Sequence, residues 1–291
     1  MEQNVRNLGV FVATLAMIAS VLIVPSVSAD GHDLEISGSG DDGVTSYASQ
    51  YGTAEFLITI SSMTGSAHNN VSITASADWG SITTEASVTD GSNGCTDEND
   101  AVETDFGEGG TIEACISVSV AEAGADIGDV GAVTVSATSD EDSIGDSTEF
   151  TVQVSNWRAY SNDGAQSYAE GDTNEYTISV KNIKVDENGD AVAIDDAISI
   201  SLSTVGSGWN IDSDDAAWDK AELTATIQYL AADADYDLVL DIQLVGEIVP
   251  ASSYVGNSFV VFTVQDGTVY TLVSLEASVA DNFSVNVTGS G

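Results

Sequence analysis

The sequence predicts an all-β protein, built as two sandwiches in tandem behind a short N-terminal leader. Three observations predict it. Apolar and polar residues alternate with period two through most of the chain, and Gly, Asn and Asp punctuate that alternation at short intervals. The third is a phrase written twice: "SYASQYGTAEFLITISS" from Ser46 and "SYAEGDTNEYTISVKN" from Ser167. Each copy has Ser-Tyr-Ala, a polar turn, a Thr, an acidic residue before an aromatic one, and then an alternating strand.

The leader comes first. "MEQNVRNLGVFVATLAMIASVLIVPSVSADGHD" has one Arg, an apolar run over residues 8–24, and Pro25 to break it. Val27 and Ala29 are the small residues a signal peptidase reads, which places cleavage between Ala29 and Asp30. A run of about 17 residues is at the short limit for a membrane span. The rival reading is a pilin-type leader retained as an assembly helix. Arg6-Asn7-Leu8 is a poor prepilin site, and that reading leaves residues 25–29 without a purpose. No second apolar run follows, so the mature chain is expected to be exported, without a membrane span, and secreted or held at the cell surface by other proteins.

Charge narrows the function next. The 291 residues include 47 acidic and 5 basic side chains, a formal net of −42, while 43% are apolar, enough for a packed core. After the leader the only cations are Arg158, Lys181, Lys184 and Lys220, and none lies between Asp30 and Trp157. Such a polyanion is repelled by DNA, RNA and anionic lipid, which bind proteins through Lys and Arg. Nucleic acid is therefore excluded as a partner. Salt shortens the reach of the internal repulsion, from a Debye length of about 8 Å at 0.15 M to about 3 Å at 1 M. The composition suits salty, extracellular water: halophilic or marine adaptation is one reading, and a calcium requirement is the sharper one.

The two cysteines agree with export. Cys95 and Cys115 are the only pair, so a disulfide is expected in an oxidising compartment. It would pin the acidic loop "TDENDAVETDFGEGG" to the strand "EACISVSV". Asn70, Asn282 and Asn286 begin glycosylation sequons, which matter only in a host that glycosylates.

The repeat continues strand by strand. "NNVSITASADWGSI" answers to "DDAISISLSTVGSGWNI", each an alternating strand reaching a Trp beside a Gly. Further alternating strands follow in both halves, closing with "TEFTVQVSN" and "LVSLEASVA". Several short strands per half with turn residues between them indicate sandwiches of immunoglobulin type. The predicted organisation is a signal peptide over 1–29, one sandwich over 30–156 and a second over 157–291. The joint is expected around residues 155–166, with Trp157 either wedged between the sandwiches or the last core residue of the first. "DDAAWDKAELTATIQYLAAD" has some helical spacing and is expected to make one short turn at most.

The order of these features resembles the immunoglobulin-like modules found beside α-galactosidase domains and the related cell-adhesion repeats of bacterial and archaeal surface proteins. The shared strand is carried here by Gly171, Asp172, Thr173, Tyr176, Ile178, Val180 and Asn182, and the next by Ile198, Ile200, Leu202, Gly208 and Trp209. The first half departs from it, with Ser61-Ser62 in place of the Asn and Asp78-Trp79 in place of Gly-Trp. The resemblance implies spacers, stalks or adhesive units without catalysis.

Candidate chemistry is sparse. Asp186, Asn188 and Asp190 have the one-three-five spacing of a calcium loop, but Ala191 stands where its Gly belongs and Ala197 where its bidentate Glu belongs. The alternative there is a hairpin, with Asn188-Gly189 as the two positive-φ residues of a tight turn. Asp212, Asp214, Asp215 and Asp219 form a second acidic group, and Asp97, Glu98, Asp100, Glu103 and Asp105 a third. Calcium is the one cofactor these could hold; no other is indicated. His32 and His68 are the only histidines, both expected in exposed positions, and no nucleophile motif accompanies them. Trp79, Trp209 and Trp218, with Tyr47, Tyr51 and Tyr168, are the candidates for a carbohydrate-binding face, Trp218 being the one expected partly outside.

The reading is a non-enzymatic, exported cell-surface or extracellular structural or adhesion protein whose acidic loops are candidates for calcium bridging. Its expected partners are other surface proteins, glycans or further copies of itself. The alternatives are a carbohydrate-binding accessory protein and a pilus-like filament subunit that donates the terminal strand "DNFSVNVTGSG" to its neighbour.

Overall fold

A computed structural model describes residues 33–41, 43–78, 83–92, 94–95, 101–121, 125–169, 171–204, 208–245 and 257–279. The leader, its cleavage site, His32, Trp79, Asp97, Glu98, Asp100, Asn282 and Asn286 lie outside the described residues.

The N-terminal half contributes β1 (Leu34–Ser39), β2 (Thr45–Ala48), β3 (Thr53–Ser62), β4 (Ser72–Asp78), β5 (Thr83–Asp90), β6 (Thr111–Ala121), β7 (Val130–Thr138) and β8 (Asp146–Val154). They form two sheets, in the orders β1-β3-β6-β5 and β2-β8-β7-β4. With β1, β3, β4, β5, β6, β7 and β8 read as strands A to G, this is the ABED and CFG arrangement of an immunoglobulin sandwich. Strand β2 is added in parallel to β8.

Alternation decides which side chains meet. On β3, Ala54, Phe56, Ile58 and Ile60 are buried, and on β6, Ile112, Ala114, Ile116, Val118 and Val120. They close against Val133, Val135 and Ala137 of β7 and Phe150, Val152 and Val154 of β8. Phe56 and Phe150 meet across the layers with ring centroids 5.0 Å apart, a contact of about 0.5–1.5 kcal/mol beyond the area it buries.

Cys115 breaks the rule of the outer face. It lies between inward-facing Ala114 and Ile116 yet is only 2% exposed, because its disulfide to Cys95 draws the loop after β5 over it. That loop passes so close that a Cβ on Gly91 would sit 2.7 Å from the backbone of Ala114. The expected disulfide is formed.

The C-terminal half contributes β9 (Trp157–Tyr160), β10 (Gln166–Tyr168), β11 (Thr173–Asn182), β12 (Ile198–Thr204), β13 (Trp209–Asp212), β14 (Trp218–Asp219), β15 (Thr224–Ile227), β16 (Asp235–Leu244), β17 (Asn257–Gln265) and β18 (Tyr270–Val279). The sheets are β13-β16-β11-β9 and β10-β18-β17-β12-β15-β14. The same A-to-G plan returns, with β10 parallel to β18 as β2 is to β8. Its core is separate, gathered from residues between Trp157 and Leu275, whereas the first lies between Leu34 and Val154.

Four sequence expectations change here. The stretch after Asp214 makes more than a turn: β15 pairs with the free edge of β12, and β14 pairs with β15. Ala225 and Ile227 are buried two apart, so the period of a strand prevails over the helical spacing around them. The link between the halves is shorter than the expected 155–166, because Trp157 already begins β9 and only Ser155 and Asn156 separate it from β8. Trp157 is neither a wedge nor the end of the first core; it is fully buried in the second, with its Nε1 donating to Asp266 at 2.8 Å. At the 186–190 turn Gly189 has φ +81° and Asn188 is not left-handed, so the two-residue turn is replaced by a longer one closed by a Val185–Ala191 bridge.

Two measurements follow from this packing. Gly145 has φ +65°, and a Cβ there would run into the carbonyl oxygen of Ala137, so Gly145→Ala is expected to cost more than about 1 kcal/mol. Gly107 faces open space, and Gly107→Ala should stay within about 0.5 kcal/mol; urea midpoints at constant m-value compare the two. Reducing Cys95–Cys115, which closes 20 residues of sequence separation, should cost roughly 3 kcal/mol, seen as a lower melting temperature with reductant.

Candidate functional site

Among the described residues two clusters of ionisable side chains stand out: the pole of the N-terminal sandwich where β1 begins, and the seam where the two sandwiches meet.

At the pole, β1 is an edge strand whose outward N–H groups need acceptors. Asp142 and Asp146 supply them. The Asp142 carboxylate, 6% exposed, accepts the N–H groups of Asp33, Leu34 (2.9 Å) and Gly145 (3.0 Å). The Asp146 carboxylate accepts the N–H of Ile36 at 2.8 Å. Two side chains at the β7–β8 connection thus take the place of a neighbouring strand. Burial pushes the Asp142 carboxyl up, but the N–H groups of Leu34, Gly145, Asp33 and Ile144 outweigh it and hold the pKa below the usual carboxylate range.

His68 stands behind this arrangement. It was expected in an exposed turn, yet it is fully buried, because the His68–Phe106 bridge folds the 101–106 segment over it and its ring lies 5.1 Å from that of Phe106. Its Nε2 is 3.0 Å from Asp33 Oδ2 and its Nδ1 is 2.7 Å from Ser139 Oγ. An ionised Asp33 only accepts, so Nε2 carries a proton and donates to it. Ser139 Oγ in turn accepts the Asp142 N–H at 3.0 Å.

Ser139, His68 and Asp33 therefore form a Ser–His–Asp row, the residue types of a nucleophilic triad. The geometry serves another purpose. The hydroxyl is already engaged by the Asp142 N–H, and Ser139 and His68 are 8% and 0% exposed, so no substrate carbonyl could approach them. The row fastens the start of β1 to the β7–β8 connection. Burial raises the Asp33 carboxyl, but hydrogen bonds from the Thr64 hydroxyl and N–H, His68 and Ser62 bring it down to about 2.

At the seam, Arg158 of β9 forms an ion pair with Asp41, which lies between β1 and β2. Tyr47 Oη meets Thr271 Oγ1 at 2.9 Å, and the Val185 N–H donates to Ser49 Oγ at 3.3 Å. A cleft of about 410 Å³ opens beside them, lined among others by Ser39, Ser46, Glu55 and Ile183.

The candidate cation ligands mostly serve the backbone. Asp186 Oδ1 accepts the N–H groups of Asn188 (2.8 Å) and Asp190 (3.0 Å), which lower its pKa in that order. Asp212 pairs with Lys220, whose hydrogen bond holds it below the usual range. Asp215 caps Ala217 at 2.7 Å, and burial and then the Asp215 carboxylate hold the Tyr236 hydroxyl above the usual tyrosine range. Asp219 Oδ1 accepts Ala221 N–H at 2.9 Å, while Asp214 and Asp190 are exposed. In the acidic loop, Asp105 accepts the Asn70 N–H at 2.8 Å and Glu103 is exposed. Among the described residues no three metal-ligating side chains converge. Asn70, the described sequon asparagine, is exposed and donates to Asp140 at 2.6 Å.

The aromatic candidates among the described residues are all buried or half-buried. Tyr47 is buried at the seam, and Tyr168 is buried in the second core, edge-on to Trp209 with centroids 4.8 Å apart. Trp209 and Trp218 are half-buried against that core, and Tyr51 is half-buried with φ +68°.

No family model and no curated protein matches this chain. Among solved structures it is similar to a family 123 glycoside hydrolase of Clostridium perfringens, with 12% identity and a TM-score of 0.32 over 42% of this chain. The chain spans 27% of that enzyme's length. It is also similar to the Yersinia pseudotuberculosis adhesin InvE, with 12% identity and a TM-score of 0.25 over 91% of this chain and 68% of that one. The surface layer protein SbsC, domains 4–9, gives 18% identity and a TM-score of 0.25 over 86% and 32%. Likenesses this distant add nothing to what the strands themselves show.

The pole sets an acid limit. A carboxyl whose folded pKa lies below its unfolded value stabilises above the unfolded value and loses that contribution as pH falls. Asp33 moves from 3.8 to about 2, and Asp142 also moves down, so stability should fall as pH drops from about 4 toward 2. Asp33→Asn should flatten that fall while lowering stability at pH 7, read from urea unfolding at a series of pH values.

Proposed function

We propose that this chain is an exported, non-enzymatic structural or adhesion protein of the cell surface or extracellular matrix, built from two immunoglobulin-like modules. One observation carries the reading: among the described residues, the histidine and the serine and carboxylates gathered around it are occupied in fastening the fold. Asp33, His68, Ser139 and Asp142 close one pole, Asp41 and Arg158 join the sandwiches, and Asp186, Asp215 and Asp219 cap turns. A catalytic site needs such groups free to face a substrate.

The charge supports the setting. A chain at net −42 tolerates its own repulsion best in salty water, and it cannot adhere to anionic lipid or nucleic acid by surface charge. Its partners are surface proteins or glycans, and calcium would bridge exposed carboxylates between molecules, for instance Asp190 and Asp214.

Fractionation of the producing cells tests the proposal. The protein is expected in the medium or on the outer surface, beginning at Asp30, and intact cells should label with antibody against it. Retention inside the cell with an uncleaved N-terminus would overturn it. Melting at fixed ionic strength should show a higher midpoint in millimolar calcium if the bridging is specific, and equal midpoints if cations act by screening alone.

A further inference from the structure

We infer that Arg158, Asp41, Tyr47 and Thr271 lock the two sandwiches into one rigid body, so that the seam is a clamp and not a hinge. The inference stands whichever partners the protein has.

The connection leaves little freedom. Of the two linking residues, Ser155 gives its N–H to Ala48 O at 2.9 Å on the first sandwich, while Asn156 O accepts the Ile183 N–H at 3.0 Å on the second. Ser155 is fully buried, and its hydroxyl accepts the Trp157 N–H at 3.1 Å and donates to the Trp157 carbonyl. Ser155 is thus tied to both sandwiches and Asn156 to the second.

The side chains extend the seam away from the link. Arg158 is the one arginine beyond the leader, and it reaches into a half that has no cation between Asp30 and Trp157. Its partner Asp41 is held in place by the Ser46 hydroxyl at 2.8 Å and the Tyr47 N–H at 3.0 Å. The guanidinium also lies 5.8 Å from the centre of the Tyr160 ring. The pair is partly buried, with side-chain exposures of 32% and 17%, so salt screens it less than an open surface pair. On the other side Tyr47 and Thr271, 5% and 4% exposed, bond to each other. Ile127 packs against both cores, and a Cβ on Gly128 would stand 3.3 Å from the Thr268 methyl.

A shift of phase makes Tyr47 available. The repeated Ser-Tyr-Ala runs parallel to the last strand of each sandwich, but Tyr47 pairs with Gln153 and Tyr168 with Val279. In β2 the residue turned into the core is Ala48; in β10 it is Tyr168. A one-residue offset turns the same phrase over. The first tyrosine is therefore released from its own core to cross the seam, and the second is kept.

Residual dipolar couplings measured on the aligned, secreted chain test the clamp. A single alignment tensor is expected to fit the couplings of both sandwiches. Arg158→Met combined with Tyr47→Phe should lose the common tensor, each sandwich then fitting its own, with amide-exchange protection inside each sandwich kept. Should that variant lose protection, Arg158→Met with Thr271→Val takes its place. Two tensors in the wild-type chain, or one tensor surviving in a folded variant, would overturn the inference.

Discussion

Scarcity of cations is the constraint on which this structure turns. With 47 acidic and 5 basic side chains, most carboxylates have no oppositely charged partner, so those near the fold's surface bind backbone N–H groups instead. Asp142 takes three such bonds, Asp186 two and Asp266 two, the last at 2.8 Å each to Thr268 and Val269. Each is a charge-assisted bond, stronger than a neutral one, and each closes a turn or an edge that would otherwise depend on water. The acidity that makes the chain repel itself thus also supplies its caps.

Both sandwiches must protect sheet edges, and they do it by different means. In the first, Asp142 and Asp146 occupy the N–H groups of β1. In the second, β15 and β14 extend the sheet beyond β12. Asn182 is the polar counterpart there: buried, it donates to Val192 O at 2.9 Å and Ala231 O at 2.7 Å, and accepts the Lys184 N–H at 2.9 Å. That accounts for the Asn where the first half has Ser62, whose hydroxyl binds Asp33 at 3.0 Å. Equivalent positions do equivalent fastening with different reach.

What was legible in the sequence follows the range of the interaction behind it. Strands were legible because alternation is written residue by residue, and the disulfide because only two cysteines exist. The turn chemistry of Ser139, Asp142 and Gly145 could be read from spacing, since those bonds span three residues. Burial of His68 could not be read, for its partners lie 35 and 71 residues away. Nor could the fate of Tyr47 and Tyr168, because identical phrases carry no mark of which face points inward. The β14–β15 extension was hidden by a helical spacing that only the open edge of β12 overrules.

The fastenings also separate two stresses that a polyanion of this kind must meet. Long-range repulsion among exposed carboxylates grows as salt is diluted and fades within a Debye length as salt is added. The short bonds to Asp33 and Asp142 respond less to salt, because their partners touch them and Asp142 is buried. They respond to protons, which remove the charge that made the bonds strong. Dilution should therefore load the whole surface, whereas acid releases the pole where β1 begins. The seam belongs to neither class alone: its ion pair joins two like-charged bodies, so the repulsion that dilution strengthens is borne across the clamp, where buried Tyr47 and Thr271 share it with Arg158 and Asp41.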